Sequence, residues 1–141
     1  MDFDMVGPAV VMALASLGSS IGCGIAGMAS HGVMTRVDEG HAKFITLSAI
    51  PSSQSIYGFI LMIVMRGAIR TGTLAPLNAL GIGFFVGIAI MTSAIYQGKC
   101  AVTAIQASAK QPAIYGMTIA ALGIVESFAL FAFVFALLLI I

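Results

Sequence analysis

Charge is what this chain has least of. Its 141 residues include six Lys or Arg and five Asp or Glu, 8% in all, where a soluble domain carries about 25%. That scarcity excludes a water-soluble domain, and a formal net charge of +1 gives no reason to expect a nucleic-acid partner. Cysteine occurs twice, as Cys23 and Cys100; both lie inside apolar runs and read as buried thiols that behave as small hydrophobes. No GxxxxGK[ST] loop is present, so the chain has no phosphate-binding signature of that kind.

What remains is apolar. Hydrophobic residues make up 60% of the chain and the mean hydropathy is +1.12, which defines an all-α integral membrane protein with one membrane domain over 1–141. A spanning helix needs about 20 mostly apolar residues. Four runs qualify, at about 5–33, 43–66, 76–108 and 113–141, interrupted by HGVMTRVDEGHAK, RGAIRTGTLAP and AKQPA. Interruptions this short make successive helices antiparallel, so the runs form two helical hairpins. The first run opens on Asp2 and Asp4, lacks a basic leader and is too long for a signal peptide, so it reads as a retained span. Arg36, Lys43, Lys99 and Lys110 lie in or near loops one and three, against Arg66 and Arg70 in loop two. The positive-inside tendency then sets loops one and three in the cytoplasm and both termini outside the cell membrane.

The halves resemble one another, as repeat one at about 5–66 and repeat two at about 76–141. SSIGCGIA at 19–26 lies on SAIYQGKC at 93–100, Arg36 falls on Lys110, and IPSSQSIYGFIL at 50–61 falls on LGIVESFALFAF at 122–133. Gln54 then stands where Glu126 stands: one copy has an acid, the other its neutral amide. Small residues concentrate in the first helix of each half, with Gly18, Gly22, Ala26 and Ser30 on one stripe, Ala15, Ser19, Cys23 and Gly27 on the next, and Gly83 and Gly87 in the third run. Such faces let helices approach closely in lipid. They are consistent with ordinary packing in a four-helix bundle, or with an inner layer of helices one and three. Runs two and four carry Phe59, Met62, Phe128, Phe131, Phe133 and Phe135, bulk expected to face lipid.

Glu126 is the one carboxylate at membrane depth. A charge at the bilayer centre costs about 2.5 kcal/mol or more, so it needs a partner or a proton. The lysines and arginines lie toward the span ends, which argues against a structural ion pair. A protonated carboxyl or a bound cation remains. Ile50, Ser53, Gln54 and Tyr57 share one helix face by their spacing, Gln97 adds a second amide, and Pro51 frees a backbone carbonyl and tends to kink the helix. Neutral oxygens around a single carboxylate suit a hard cation of one charge, hence Na⁺ more than Ca²⁺ or Mg²⁺. The plainer alternative is that these groups hydrogen-bond one another and knit the bundle.

IPSSQSIYGFI in the second run, YQGK in the third and VESFALFAF in the fourth together resemble the duplicated membrane ring subunit of V-type and A-type rotary ATPases, the proteolipid or K subunit, over essentially the whole chain. For the bacterial Na⁺-transporting kind, the resemblance implies a site made by the Ile50 carbonyl, Ser53, Gln54, Gln97 and Glu126, with Tyr57 hydrogen-bonded to the glutamate. Ile50 stands where the family has leucine, and Ser53 where it has threonine, which keeps the hydroxyl and loses a methyl. The resemblance also implies a ring of identical subunits, a stator subunit bearing an arginine, central-stalk subunits seated on the cytoplasmic loops, and ATP hydrolysis elsewhere in the complex. Two rivals remain at this point: the same ring carrying H⁺ on Glu126, and a small multidrug-type proton-coupled exporter. The exporter family has its acid in the first helix and no duplication. A purely structural membrane protein leaves Gln54, Gln97 and Glu126 unexplained.

Overall fold

The computed structural model describes residues 3–140; residues 1, 2 and 141, Asp2 among them, lie outside the described residues. All regular structure among them is helical. Helix α1 spans Val6–Met34, α2 His41–Ala49, α3 Ser53–Arg70, α4 Pro76–Lys110 and α5 Tyr115–Ile140, with 3₁₀ turns at Ile50–Ser52 and Pro112–Ile114. These make four membrane-length segments, because α2, the first turn and α3 run on as one span, His41–Arg70, and the second turn leads into Pro112–Ile140. The four apolar runs read from the sequence are these four spans. Helix persists farther into the polar interruptions than hydropathy alone indicates: His31 and Lys43 are both helical.

The chain reverses where its local chemistry permits. Gly40 precedes α2 at φ 79°, in the left-handed region that glycine enters without a Cβ penalty. Gly72 does the same at φ 76° after α3, where the N–H groups of Gly72 and Thr73 return to the carbonyls of Ile69 and Ala68 and close the helix end. Pro76 then begins α4, at a position where its missing N–H costs nothing. Helix α4 is 35 residues long. At 1.5 Å per residue its length of about 52 Å exceeds the roughly 30 Å hydrocarbon layer, so its ends project beyond it.

Helices α1 and α4 lie against each other backbone to backbone. A Cβ on Gly98 would run into the main chain of Gly22, and one on Gly83 into that of Gly7. Residues 7 and 22 on α1 thus meet 83 and 98 on α4 in the same order, so the first helices of the two hairpins run parallel, in contact over about 22 Å. Gly18, Gly22, Ala26 and Ser30 are all buried, as the small-residue stripe requires. Helix α5 is held differently. Its buried residues include Leu122, Ala129 and Ala136, a single line at heptad spacing, while Phe128, Phe131, Phe135, Leu138 and Leu139 are exposed around the rest of it. Two of the aromatic and methionine side chains expected to face lipid turn inward instead: Met62 and Phe133 pack on the cluster formed by Val11, Leu61, Met65 and Ala136. A second apolar cluster, around Ala26, Phe44, Leu47, Ile105 and Leu122, fills the loop-one end. The polar residues of interest sit between the two.

Candidate ion-binding site

Proline 51 shapes the first wall of the site. Without an N–H it cannot continue the α-helical ladder, and the span passes from α2 to α3 through the 3₁₀ turn at Ile50–Ser52. The expected kink is therefore a change of helix type. In this turn the Ile50 carbonyl accepts the Ser53 N–H and lies 3.2 Å from Ser53 Oγ, which is also 3.3 Å from Gln54 Oε1. The Ile50 carbonyl, the Ser53 hydroxyl and the Gln54 amide oxygen thus lie side by side in this turn.

A chain of hydrogen bonds leads from this turn to the carboxylate. Gln54 Nε2 donates to Gln97 Oε1 at 2.8 Å. Gln97 Nε2 donates to the Leu122 carbonyl at 3.1 Å and approaches Glu126 Oε2 at 3.4 Å. Tyr57 Oη donates to Glu126 Oε1 at 2.8 Å. Gln54 and Gln97 are wholly buried, whereas Glu126 is half-buried on the less covered helix. Ile50, Ser53, Gln54 and Tyr57 from the second span, Gln97 from α4 and Glu126 from α5 are thus joined in one hydrogen-bonded network, with Pro51 in the turn that forms its first wall. All seven residues singled out in the sequence are brought together there.

Three contributors carry no site role in the sequence reading. The Leu122 carbonyl anchors the Gln97 amide. Ser93, one turn before Gln97 on α4, donates through Oγ to the Val125 carbonyl at 2.9 Å and ties α4 to α5 beside the acid. Phe133, two turns after Glu126 on α5, sets its ring 5.6 Å from that of Tyr57. Helical spacing from Gln97 and Glu126 is the signal that could have found the last two. Lys99 also departs from expectation. It lies only two residues beyond Gln97, about 3 Å of helix rise, and so is closer in height than its assignment to the loop end implies. Yet it points about 200° away around α4, with Nζ 4.8 Å over the exposed Tyr96 ring.

Among the described residues, no three His, Cys, Asp or Glu side chains gather as a metal cluster, and no buried side-chain nitrogen or oxygen lacks a partner. One carboxylate with neutral oxygens matches the charge of a monovalent cation or a proton.

The sequence pattern of the family described as the ATP synthase C subunit matches residues 6–65 and again 80–139. The A-type ATP synthase subunit K of Methanocaldococcus jannaschii is 30% identical over 136 residues, 96% of this chain. The V-type sodium ATPase subunit K of Enterococcus hirae is 31% identical over 144 residues, 99% of this chain. The chain spans 60% of the length of the first relative and 91% of the second. This chain therefore belongs to the ATP synthase C-subunit family, and it carries that family's helical hairpin twice.

Proposed function

We propose that this chain carries Na⁺ on Glu126 as part of a rotor ring in a V- or A-type rotary ATPase. Its family is one of non-catalytic, ion-carrying membrane subunits, and the fold is a multi-pass membrane fold. The observation that carries the reading is the hydrogen-bonded chain from Ser53 and Gln54 through Gln97 to Glu126, which joins neutral oxygen donors to the lone mid-membrane acid. The sodium ATPase named among its relatives supports the choice of ion.

In this reading Ile50, Ser53, Gln54, Gln97 and Glu126 surround the ion, and Tyr57 holds the carboxylate in place. Neutralised by its ion, Glu126 crosses lipid at little cost. Empty and ionised, it faces the several-kcal/mol penalty of a bare charge in hydrocarbon and stays in the wetted interface with a stator subunit that supplies an arginine. Rotation is thereby tied to occupancy. Identical copies of the duplicated unit, repeats at about 5–66 and 76–141, close the ring with α1 and α4 innermost. Loops one and three seat on the central stalk, and both termini lie outside. Repeat one has Gln54 where repeat two has Glu126, so each copy of the chain holds one ion.

A proton is the second reading, and one observation favours it: Gln54 Nε2 donates to Gln97 Oε1 at 2.8 Å, so the two amides partner each other and leave the carboxyl of Glu126 to take a proton by itself. A hydrophobic carbodiimide distinguishes the two, because it reacts with protonated carboxyls in apolar surroundings. Labelling at Glu126 that Na⁺ suppresses supports the sodium reading. Labelling that ignores Na⁺ and falls with rising pH supports the proton. Labelling at Asp38 or Glu39 in place of Glu126 contradicts both.

A further inference from the structure

Ser19 lies on α1 in the small-residue stripe, only 5% exposed, where packing alone would account for its size. Its hydroxyl does more. Ser19 Oγ accepts the backbone N–H of Ser55 at 3.0 Å. Ser55 is the third residue of α3, and the first turn of a helix leaves its N–H groups without partners in the helix itself. The side chain just ahead of the helix ordinarily meets one of them. Here that residue is Ser52, which makes no capping bond and donates instead to the Ala49 carbonyl at 2.7 Å. No water in the hydrocarbon can substitute. The cap for α3 comes from another helix.

The turn held in this way is the one that presents oxygens to the site. The Ile50 carbonyl, the Ser53 hydroxyl and the Gln54 amide all lie within the five residues before Ser55. Helix α1 grips the turn at a second point: Pro51 rests on Gly22, three residues after Ser19, so closely that a Cβ there would meet the proline ring carbon at 2.9 Å. We propose that Ser19 is a positioning residue for the cation: by capping α3 from the neighbouring helix, it fixes the Ile50, Ser53 and Gln54 oxygens where Na⁺ needs them. A proton requires only the carboxylate on α5, whereas Na⁺ requires the neutral oxygens at fixed distances. Loss of the cap therefore weakens Na⁺ binding and spares protonation.

This inference rests on the sodium reading above, and its test separates the two. Purified rings of wild type, Ser19→Ala, Ser19→Thr and Ser30→Ala are compared for radiolabelled Na⁺ binding and for carbodiimide labelling of Glu126 without Na⁺. Ser30 is the control, since it too is buried on α1 and ties it to the second span, through a 2.8 Å bond to the Phe44 carbonyl away from the site. Ser19→Ala should lower Na⁺ affinity roughly fivefold, the ordinary worth of one helix cap, with labelling unchanged. Ser19→Thr, which keeps the oxygen, should bind closer to wild type, and Ser30→Ala should bind as wild type. Wild-type affinity in Ser19→Ala, an equal loss in Ser30→Ala, a parallel loss of Na⁺-free labelling, or failure of Ser19→Ala to assemble would each overturn the inference alone. No Na⁺ binding by the wild-type ring would overturn the sodium reading with it.

Discussion

Tyr57 and Glu126 stand 69 residues apart in the chain, and the tyrosine hydroxyl donates to the carboxylate at 2.8 Å. The bond joins the second span to the fourth, and Phe133 backs the tyrosine ring. Tyr57→Phe deletes the donor and keeps the ring packing. Rings should assemble as wild type and bind Na⁺ a few-fold more weakly, in keeping with about 1 kcal/mol for one hydrogen bond. Radiolabelled Na⁺ titration of the purified ring checks this; unchanged affinity would mean that the tyrosine holds nothing the ion needs.

Gln97 is the member of the network with most partners, serving Gln54, Leu122 and Glu126 at once. Gln97→Leu preserves bulk and removes an oxygen, and it strands Gln54 Nε2. A loss of Na⁺ affinity of tenfold or more is expected, since a buried group left unpaired costs about 1–3 kcal/mol beyond the lost ligand. Gln54→Leu should cost somewhat less, because Gln97 keeps its anchor on Leu122. Ser53→Ala should do least, one neutral hydroxyl among several oxygens. If either leucine variant abolished assembly while residual rings kept wild-type affinity, the amides would be bundle glue.

Gly98→Ala tests the packing that sets the site's level. The added methyl meets Gly22 main chain, which cannot yield as a flexible side chain would. Pushing α1 from α4 should destabilise the fold by about 1–3 kcal/mol, read as a lower detergent or thermal stability of the ring. Gly116→Ala, with open space around its Cβ position, should be tolerated.

Much of this was legible in the sequence because hydrophobic length and polar scarcity are one-dimensional signals. The four spans, the two hairpins and the seven candidate site residues follow from run length, the repeat and the isolation of Glu126. What the sequence did not disclose depends on rotation about a helix axis and on bonds to main chain. Phe133 is as apolar as Phe131, yet one turns inward to Tyr57 and the other outward. Lys99 is close to Glu126 in height and far from it in direction. Ser19 is one small residue among many in α1, and its value lies in an N–H that belongs to another helix.

In the proposed function one carboxylate, Glu126, takes either Na⁺ or a proton. Na⁺ needs the ionised form, so the two ligands compete at a single place. Wherever protons outcompete Na⁺ for the site, the competent fraction falls tenfold per unit, and apparent Na⁺ affinity should weaken by about tenfold for each unit fall in pH. Where protons no longer compete, it should be flat. Radiolabelled Na⁺ binding to the isolated ring across a pH series measures this directly. A tenfold-per-unit limb joining a plateau is the predicted result; affinity independent of pH from acid to alkaline conditions, or no Na⁺ binding even in alkali, would contradict it.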